Sequence, residues 1–366
     1  MALAGILSIF QAWLIPGFLF LLFFRNIKIF DNLVLSIPLS LVINYILIYV
    51  LVNLNAYSQS ILFIVIIFEF FFIFLILVRR FSFKVIIDEI DIFFSMEKQK
   101  KLINVNFSLI NLIIFLLLII YAFYALKNLG QPVHAGDPLD MWNSWAISWS
   151  KNEIPYYVEY PQAVPILYSI SYVLLASYEV EYFTSAVCLI YPIWIFVIFF
   201  RLTYLFPEKK LLIKLSLIIT TFFLLSILRN YSLFIGYSDP ILVLTSTSVG
   251  YIFLYFFHKK KNDLAYETNF KNIILISLIA ASPAITKQMG LLVSFMFPVF
   301  YFLINYFNNK LLYKNFIIIT SIIFVISISW YIFPIYHYYQ IDFESTKFAR
   351  LSASAMMGSE NSNLFM

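Results

Sequence analysis

The 366-residue chain has one cysteine, Cys188, and three dispersed histidines. A lone cysteine excludes an internal disulfide and any cysteine-rich metal site, and the scattered histidines argue against a His-rich one. Charge is scarce as well: Asp, Glu, Lys and Arg make up 12% of the residues, about half the share of a soluble domain. No HExxH, GxGxxG, P-loop or nucleophile-elbow pattern occurs, which removes the chemistries those motifs carry. The glycines Gly5, Gly17 and Gly250 form no repeated small-residue pattern, so a helix-dimerisation seam is unsupported.

What is present is apolar. Hydrophobic residues are 63% of the chain, more than a soluble fold of this length can cover with polar surface. A bilayer supplies the missing solvent, and its core asks for about 20 apolar residues per helix. Runs that qualify are Leu3 to Phe24, Leu33 to Val52, Ser60 to Val78, Phe107 to Leu126, Phe183 to Tyr204, Leu211 to Leu228, Asp239 to Phe257 and Phe316 to Tyr336. The stretch Ile273 to Phe307 is broken at Ser282-Pro283 and at Lys287-Gln288, which reads as two helices with a turn between them. The expected fold is an all-α, polytopic transmembrane protein of about ten spans. Pro165 to Ser177 is too short to cross and reads as a re-entrant or interfacial helix. Leu3 to Phe24 is too long for the apolar core of a signal peptide and lacks a basic start, so it reads as a span.

The net charge of +5 comes from short loops between apolar runs, where orientation signals belong, and it carries no nucleic-acid reading. With the loops around Arg25, Arg79 to Lys101, Arg201 to Lys214, Lys259 to Lys271 and Lys310 to Lys314 on one side, that side holds 18 of the 24 Lys and Arg. Lys127, Lys151, Arg229, Lys287, Lys347 and Arg350 fall on the other. This asymmetry puts the first group in the cytoplasm, provided Pro165 to Ser177 does not cross. Three regions are expected. Residues 1–106 form an accessory three-span layer ending in a long cytoplasmic loop, read either as a surface helix or as a solvated linker. Residues 107–336 form the main membrane module. Residues 337–366 form an extracytoplasmic tail, which is either the end of a short chain or the start of something longer.

Unusual residues collect on the outer side. The largest outer loop, 127–162, carries Asp137, Asp140, His134, Lys151, Glu153 and the turn Tyr160-Pro161-Gln162. Asp140 to Lys151 has the pattern of a short amphipathic helix with Trp142, Trp145 and Trp149 on one face. An aromatic belt at headgroup level would use the same face. One of the two aspartates can cap the helix, leaving the other free as a base whose basicity burial beside apolar rings would raise. The segment Arg229 to Pro240 adds Arg229, Tyr231, Tyr237 and Asp239, where Asp239 can also cap the next helix. Lys287, at the break between two helices, is either functional or a side chain reaching for the headgroups. Glu69, inside the third span, could relay protons or pack in protonated or paired form.

Four short segments match one family pattern in order and side. Asp140-Met141-Trp142-Asn143-Ser144-Trp145-Ala146 is similar to Asp-Ala-Trp-x-x-Trp-Ala, and Tyr160-Pro161-Gln162-Ala163-Val164-Pro165 to Tyr-Pro-Pro-Leu-x-Pro. Gly236-Tyr237-Ser238-Asp239-Pro240 resembles Gly-Tyr-Ala-Asp, and Thr286-Lys287-Gln288-Met289-Gly290 resembles Thr-Lys-Asn-Glu-Gly. Together, over about Phe107 to Tyr336, the chain resembles the GT-C superfamily of membrane glycosyltransferases, which use polyprenyl-phosphate sugars. It departs from the pattern at Gln162, which stands for the second proline, and at Gln288-Met289, which stands for Asn-Glu.

The resemblance implies transfer of a hexose or pentose from a polyprenyl-phosphate donor to a hydroxyl of a glycan, lipid or protein, with inversion, at the outer face of a bacterial-type inner membrane. Asp140 is then the leading general base, with Asp137 its alternate or partner. Lys287 and Arg229 are candidates for the lipid phosphate, and Asp239, Gln162 and Tyr160 for sugar hydroxyls and their turn. Trp142 and Trp145 would line the sugar or polyprenyl groove. No cofactor is expected, although a divalent cation between Asp137 and Asp140 stays open. Two other classes compete. A transporter or flippase would put its polar site near the midplane, often within inverted repeats; no internal repeat is evident, and the polar groups gather at one rim. A scaffold subunit would turn Asp137, Asp140 and Lys287 away from one another.

Overall fold

The computed structural model describes residues 1–24, 29–80, 109–129, 138–155, 160–179, 181–206, 209–227, 237–262, 270–307 and 313–340, with some helix-end and loop side chains left out. Among these residues the chain is all helix and turn, without a strand. In order come α1 (Ala2–Trp13), α2 (Ile15–Leu22), α3 (Ile29–Asn53), α4 (Gln59–Arg80) and α5 (Leu109–Asn128). A π-helical turn, Pro138–Asn143, leads into α6 (Ser144–Ser150), followed by α7 (Ala163–Leu175), α8 (Tyr182–Val187) and α9 (Ile190–Leu205). The remainder is α10 (Lys210–Ile227), α11 (Asp239–Asn262), α12 (Phe270–Thr286), α13 (Gly290–Phe307) and α14 (Tyr313–Gln340).

All ten apolar runs are helical over their described residues. Six helices are long and apolar enough to cross a membrane, or seven if α1 and α2 count as one broken span. The first run was expected to be a single span; it bends by 50° between α1 and α2. The cause is Pro16, which has no N–H for the carbonyl one turn earlier and crowds it. Pro192 acts similarly between α8 and α9, where Cys188 and Leu189 form a turn. The helices α12 and α13 are apolar but short.

Proline inside a helix leaves a carbonyl without its donor, and here side chains fill the gap. Pro38 frees the Val34 carbonyl, which accepts the Trp194 indole N–H of α9 at 3.2 Å. Pro283 frees the Ile279 carbonyl, which accepts the Ser282 hydroxyl at 2.7 Å. Both helices therefore continue through their prolines.

At the centre lies α7, with all 13 of its residues buried. Protein surrounds it. The helices α1, α3, α4, α6 and α8 pack on it, and α12 touches it from the far side. Burial separates interior from periphery: 67% of the most apolar window of α3 is buried, against 17% for α4 and 17% for α5. Hydrophobic all round and exposed, α4 and α5 present the face that lipid would cover. Ala12, Leu21, Leu35 and Tyr45 share one continuous core with Trp149, Tyr168, Ile279 and Trp330. Only α4 behaves as peripheral, and the loop 81–108 lies outside the described residues.

One buried ion pair ties this arrangement together. Asp31 at the start of α3 accepts Arg201 Nε at 2.6 Å and Nη2 at 3.1 Å, and the Tyr251 hydroxyl of α11 at 2.9 Å. Glu69 is also buried, with α4 facing the Gln11–Asn44 pair of α1 and α3. Its Oε2 and the Gln11 Oε1 have no hydrogen-bond partner among the described residues.

The end of α7 is set by Ala176, which adopts a left-handed conformation at φ 50°. The N–H groups of Ala176 and Ser177 close on the carbonyls of Val173 and Tyr172 at 3.2 and 3.3 Å, a Schellman arrangement. A Cβ in that region costs about 1–2 kcal/mol. Ala176→Gly should therefore stabilise the protein, by up to about 1 kcal/mol after the entropy of the unfolded glycine is subtracted. Denaturant unfolding in detergent micelles measures it; an unchanged or lowered midpoint would mean the turn is not formed as described.

Candidate functional site

Asp31 starts α3 and meets Tyr251 of α11. Twelve residues separate Tyr251 from Asp239 at the start of α11, about 18 Å along its axis. At its other end α3 turns into α4. Asn152, beyond α6, grips this turn. Its Oδ1 accepts the Tyr57 N–H at 3.0 Å and its Nδ2 donates to the Tyr57 carbonyl at 3.0 Å. The Tyr57 hydroxyl pairs with Ser169 of α7, and Gln59 donates to the Leu174 carbonyl. The α6 segment thus sits at the end of α3 that leads into α4, and the Asp31–Arg201 pair at its start.

The three tryptophans share a face, as their spacing requires, but that face turns inward. Trp142, Trp145 and Trp149 are all at most 5% exposed, so they neither form an aromatic belt nor line an open groove. The reason is the partner surface. Trp142 and Trp145 pack edge to face at 5.2 Å, and Tyr160 contacts both at 5.8 and 6.1 Å. Trp149 lies against Tyr49 of α3, and its indole N–H donates to Gln162 Oε1 at 3.1 Å. Gln162 is fully buried and returns its Nε2 to the Tyr160 carbonyl at 3.1 Å. Both ends of its amide are committed, as burial demands. Gln162 is therefore a pin between α6 and α7 rather than an exposed sugar ligand. The Trp142 indole N–H has no partner among the described residues although it is buried. Tyr160 alone of this cluster remains half-exposed.

A second pin escaped the sequence reading. Asn143 closes the π-helical turn; its Nδ2 donates to Glu181 at 3.0 Å and its Oδ1 accepts the Tyr172 hydroxyl. Burial, with Glu181 nearby, pushes the Tyr172 hydroxyl up to about 12, against the lowering effect of its hydrogen bonds. It stays protonated and keeps donating across the neutral range. The only sequence signal was an Asn between two tryptophans, which fits a polar outer face equally well. Asn152, likewise unmarked in the sequence, sits in the left-handed region at φ 62°, which asparagine tolerates.

Lys287 and Asp239 come together, but as partners of each other. The ammonium is 2.6 Å from Asp239 Oδ1, with the two side chains 27% and 41% exposed. The sequence offered Lys287 for the lipid phosphate and Asp239 for sugar hydroxyls; the structure brings the two side chains into one ion pair. Its position is built locally. Lys287 N–H closes on the Pro283 carbonyl at 3.2 Å, and Gly290 N–H on the Lys287 carbonyl at 2.8 Å. A Cβ on Gly290 would meet the Pro283 carbonyl oxygen at 1.9 Å, so only glycine allows so tight a reversal. Ser294 of α13 receives the Ala284 N–H at 3.2 Å. Asp239 opens α11 in its first turn, followed by Pro240, where a negative charge and a proline both suit a helix start. Being this exposed, the ion pair contributes at most about 1 kcal/mol to stability.

Asp140 belongs by its backbone to the π-helical turn. Its side chain, together with Asp137, His134, Arg229 and Tyr231, lies outside the described residues. Among the described residues no group of three or more His, Cys, Asp or Glu gathers as a metal site. The chain matches no family model, no curated protein and no solved structure.

Proposed function

We propose that the chain is an integral membrane glycosyltransferase of about ten passes, acting at its outer rim on a polyprenyl-phosphate sugar. The observation that carries this reading is the Lys287–Asp239 pair at 2.6 Å. Two segments 48 residues apart in sequence meet in this pair, and in this reading they share the outer rim with the π-helical turn that carries Asp140 into α6. A π-helical turn is itself a frequent mark of functional positions. A partly exposed ammonium at a membrane edge suits a lipid phosphate, and the neighbouring carboxylate suits a sugar hydroxyl.

In this reading Asp140 takes the proton of the acceptor hydroxyl. The acceptor oxygen bonds to the anomeric carbon as the bond from that carbon to the phosphate oxygen breaks. The electron pair leaves with the polyprenyl phosphate, whose charge Lys287 and Arg229 stabilise. Attack opposite the leaving group inverts the anomeric centre. Asp137 serves as alternate or partner base. Tyr160, half-exposed over Trp142 and Trp145, offers a ring face to the sugar. The acceptor is a glycan, lipid or protein hydroxyl, and the face is the outer side of a bacterial-type inner membrane.

The test is turnover of polyprenyl-phosphate-linked hexoses and pentoses by the purified chain in proteoliposomes. Acceptor-dependent release of polyprenyl phosphate, with inverted product, is expected. A folded protein that turns over no such donor would overturn the reading. Lys287→Ala should raise the donor concentration for half-maximal rate by about 10- to 100-fold, the worth of one hydrogen bond to a charged group. An unchanged donor dependence would leave Lys287 as a partner of Asp239 only.

A further inference from the structure

A cavity of about 610 Å³ lies between α5, α9 and α10, far from the rim just described. Its volume falls within the roughly 300–1,000 Å³ of small-molecule sites. Its polarity is graded. Asn111, Lys210 and Lys214 line one end; Leu118, Ile193 and Leu217 line the other. Lys214 Nζ donates to Asn111 Oδ1, which fixes one cation at the mouth, while Lys210 is exposed beside it. No acidic side chain is among the residues lining the cavity.

Depth identifies the class of occupant. Asn111 to Leu118 and Lys210 to Leu217 each span seven residues, about 10 Å of helix. A bilayer core is about 30 Å thick, so the cavity reaches into one leaflet and stops. A transmembrane helix of a partner or a second copy would need the whole thickness. A single amphiphile with an acyl chain and a negative head needs only this much. The mouth lies at the end of α9 that carries Arg201, the end to which the basic loops belong. Basic pockets between helices on that side attract anionic headgroups, each Lys or Arg contributing about a fivefold preference.

We infer that the cavity between α5, α9 and α10 is a binding site for an anionic phospholipid of the cytoplasmic leaflet, with Lys210 and Lys214 holding the phosphate and Leu118, Ile193 and Leu217 the acyl chain. The source is the membrane lipid rather than free phosphate, because the apolar depth has no use for an inorganic ion.

The experiment is native mass spectrometry of the full-length chain released from micelles with added phosphatidylglycerol or phosphatidylcholine. Phosphatidylglycerol should be retained about 30-fold better. Lys210→Gln with Lys214→Gln should bring the two lipids to parity. Leu118→Trp, which fills the apolar end and keeps both lysines, should lose both lipids. Equal retention of the two lipids by the wild-type chain would overturn the inference. So would unchanged selectivity in the lysine variant, or unchanged retention in Leu118→Trp. Competition by millimolar inorganic phosphate that removes all phosphatidylglycerol would likewise show an anion site without a lipid chain. If the lysine double variant does not fold, Lys210→Gln alone, at an exposed position, should lower the preference about fivefold.

Discussion

Asp140→Asn is expected to lower sugar transfer by about 10²–10⁴-fold, the usual worth of a general base, with expression and membrane insertion unchanged. The amide keeps the shape of the carboxylate and loses only its capacity to take a proton. The π-helical turn holding residue 140 is fixed by Asn143 through Glu181 and Tyr172, and α6 by Trp149 and Gln162. Asp137→Asn is the internal comparison. If Asp140 is the base, the loss at Asp137 should be smaller; if the order reverses, the roles exchange. Transfer within a few-fold of wild type in both variants would remove the assigned chemistry. A change in donor affinity without a change in maximal rate would point to binding rather than proton transfer.

The same region shows what the sequence could and could not tell. The long apolar runs announced their helices, because an apolar helix in lipid satisfies its backbone internally whatever its neighbours are. Trp142, Trp145 and Trp149 announced a common face, since that follows from helical spacing alone. Which way the face turned did not. An inward stack on Tyr160 and Tyr49 and a headgroup belt require the same residues at the same spacing, and only tertiary partners decide between them. Gln162 was conspicuous as a departure from a proline turn, but its role as a pin depends on an indole 13 residues earlier. Lys287 stood out as an isolated charge. Its partner Asp239 was also marked, yet pairing across 48 residues leaves no local pattern. Likewise Pro16, Pro38 and Pro283 look alike in sequence. The first bends the chain and the other two do not, because α3 and α12 carry or recruit donors for the freed carbonyls.

Asp31→Ala is expected to destabilise the protein by about 3–5 kcal/mol, the cost of breaking a buried pair from one side. Asp31 is 2% exposed, and Arg201 is 18% exposed. Removal of the carboxylate leaves a guanidinium that cannot shed its proton, inside helices with little water to replace two hydrogen bonds at 2.6 and 3.1 Å. It also strands the Tyr251 hydroxyl, fully buried on α11. Tyr251→Phe removes one bond to a charged acceptor and should cost less, about 1.5–3 kcal/mol. The informative variant is the double replacement Asp31→Leu with Arg201→Met. If desolvation opposes the pair as strongly as attraction favours it, the double variant should lie within about 1–2 kcal/mol of wild type, far above Asp31→Ala. Reversible unfolding of the purified chain in mixed micelles reads all three. An Asp31→Ala loss below about 1 kcal/mol would mean that water reaches this junction, and the bonds joining α3, α9 and α11 would then be a solvated contact rather than a buried tie.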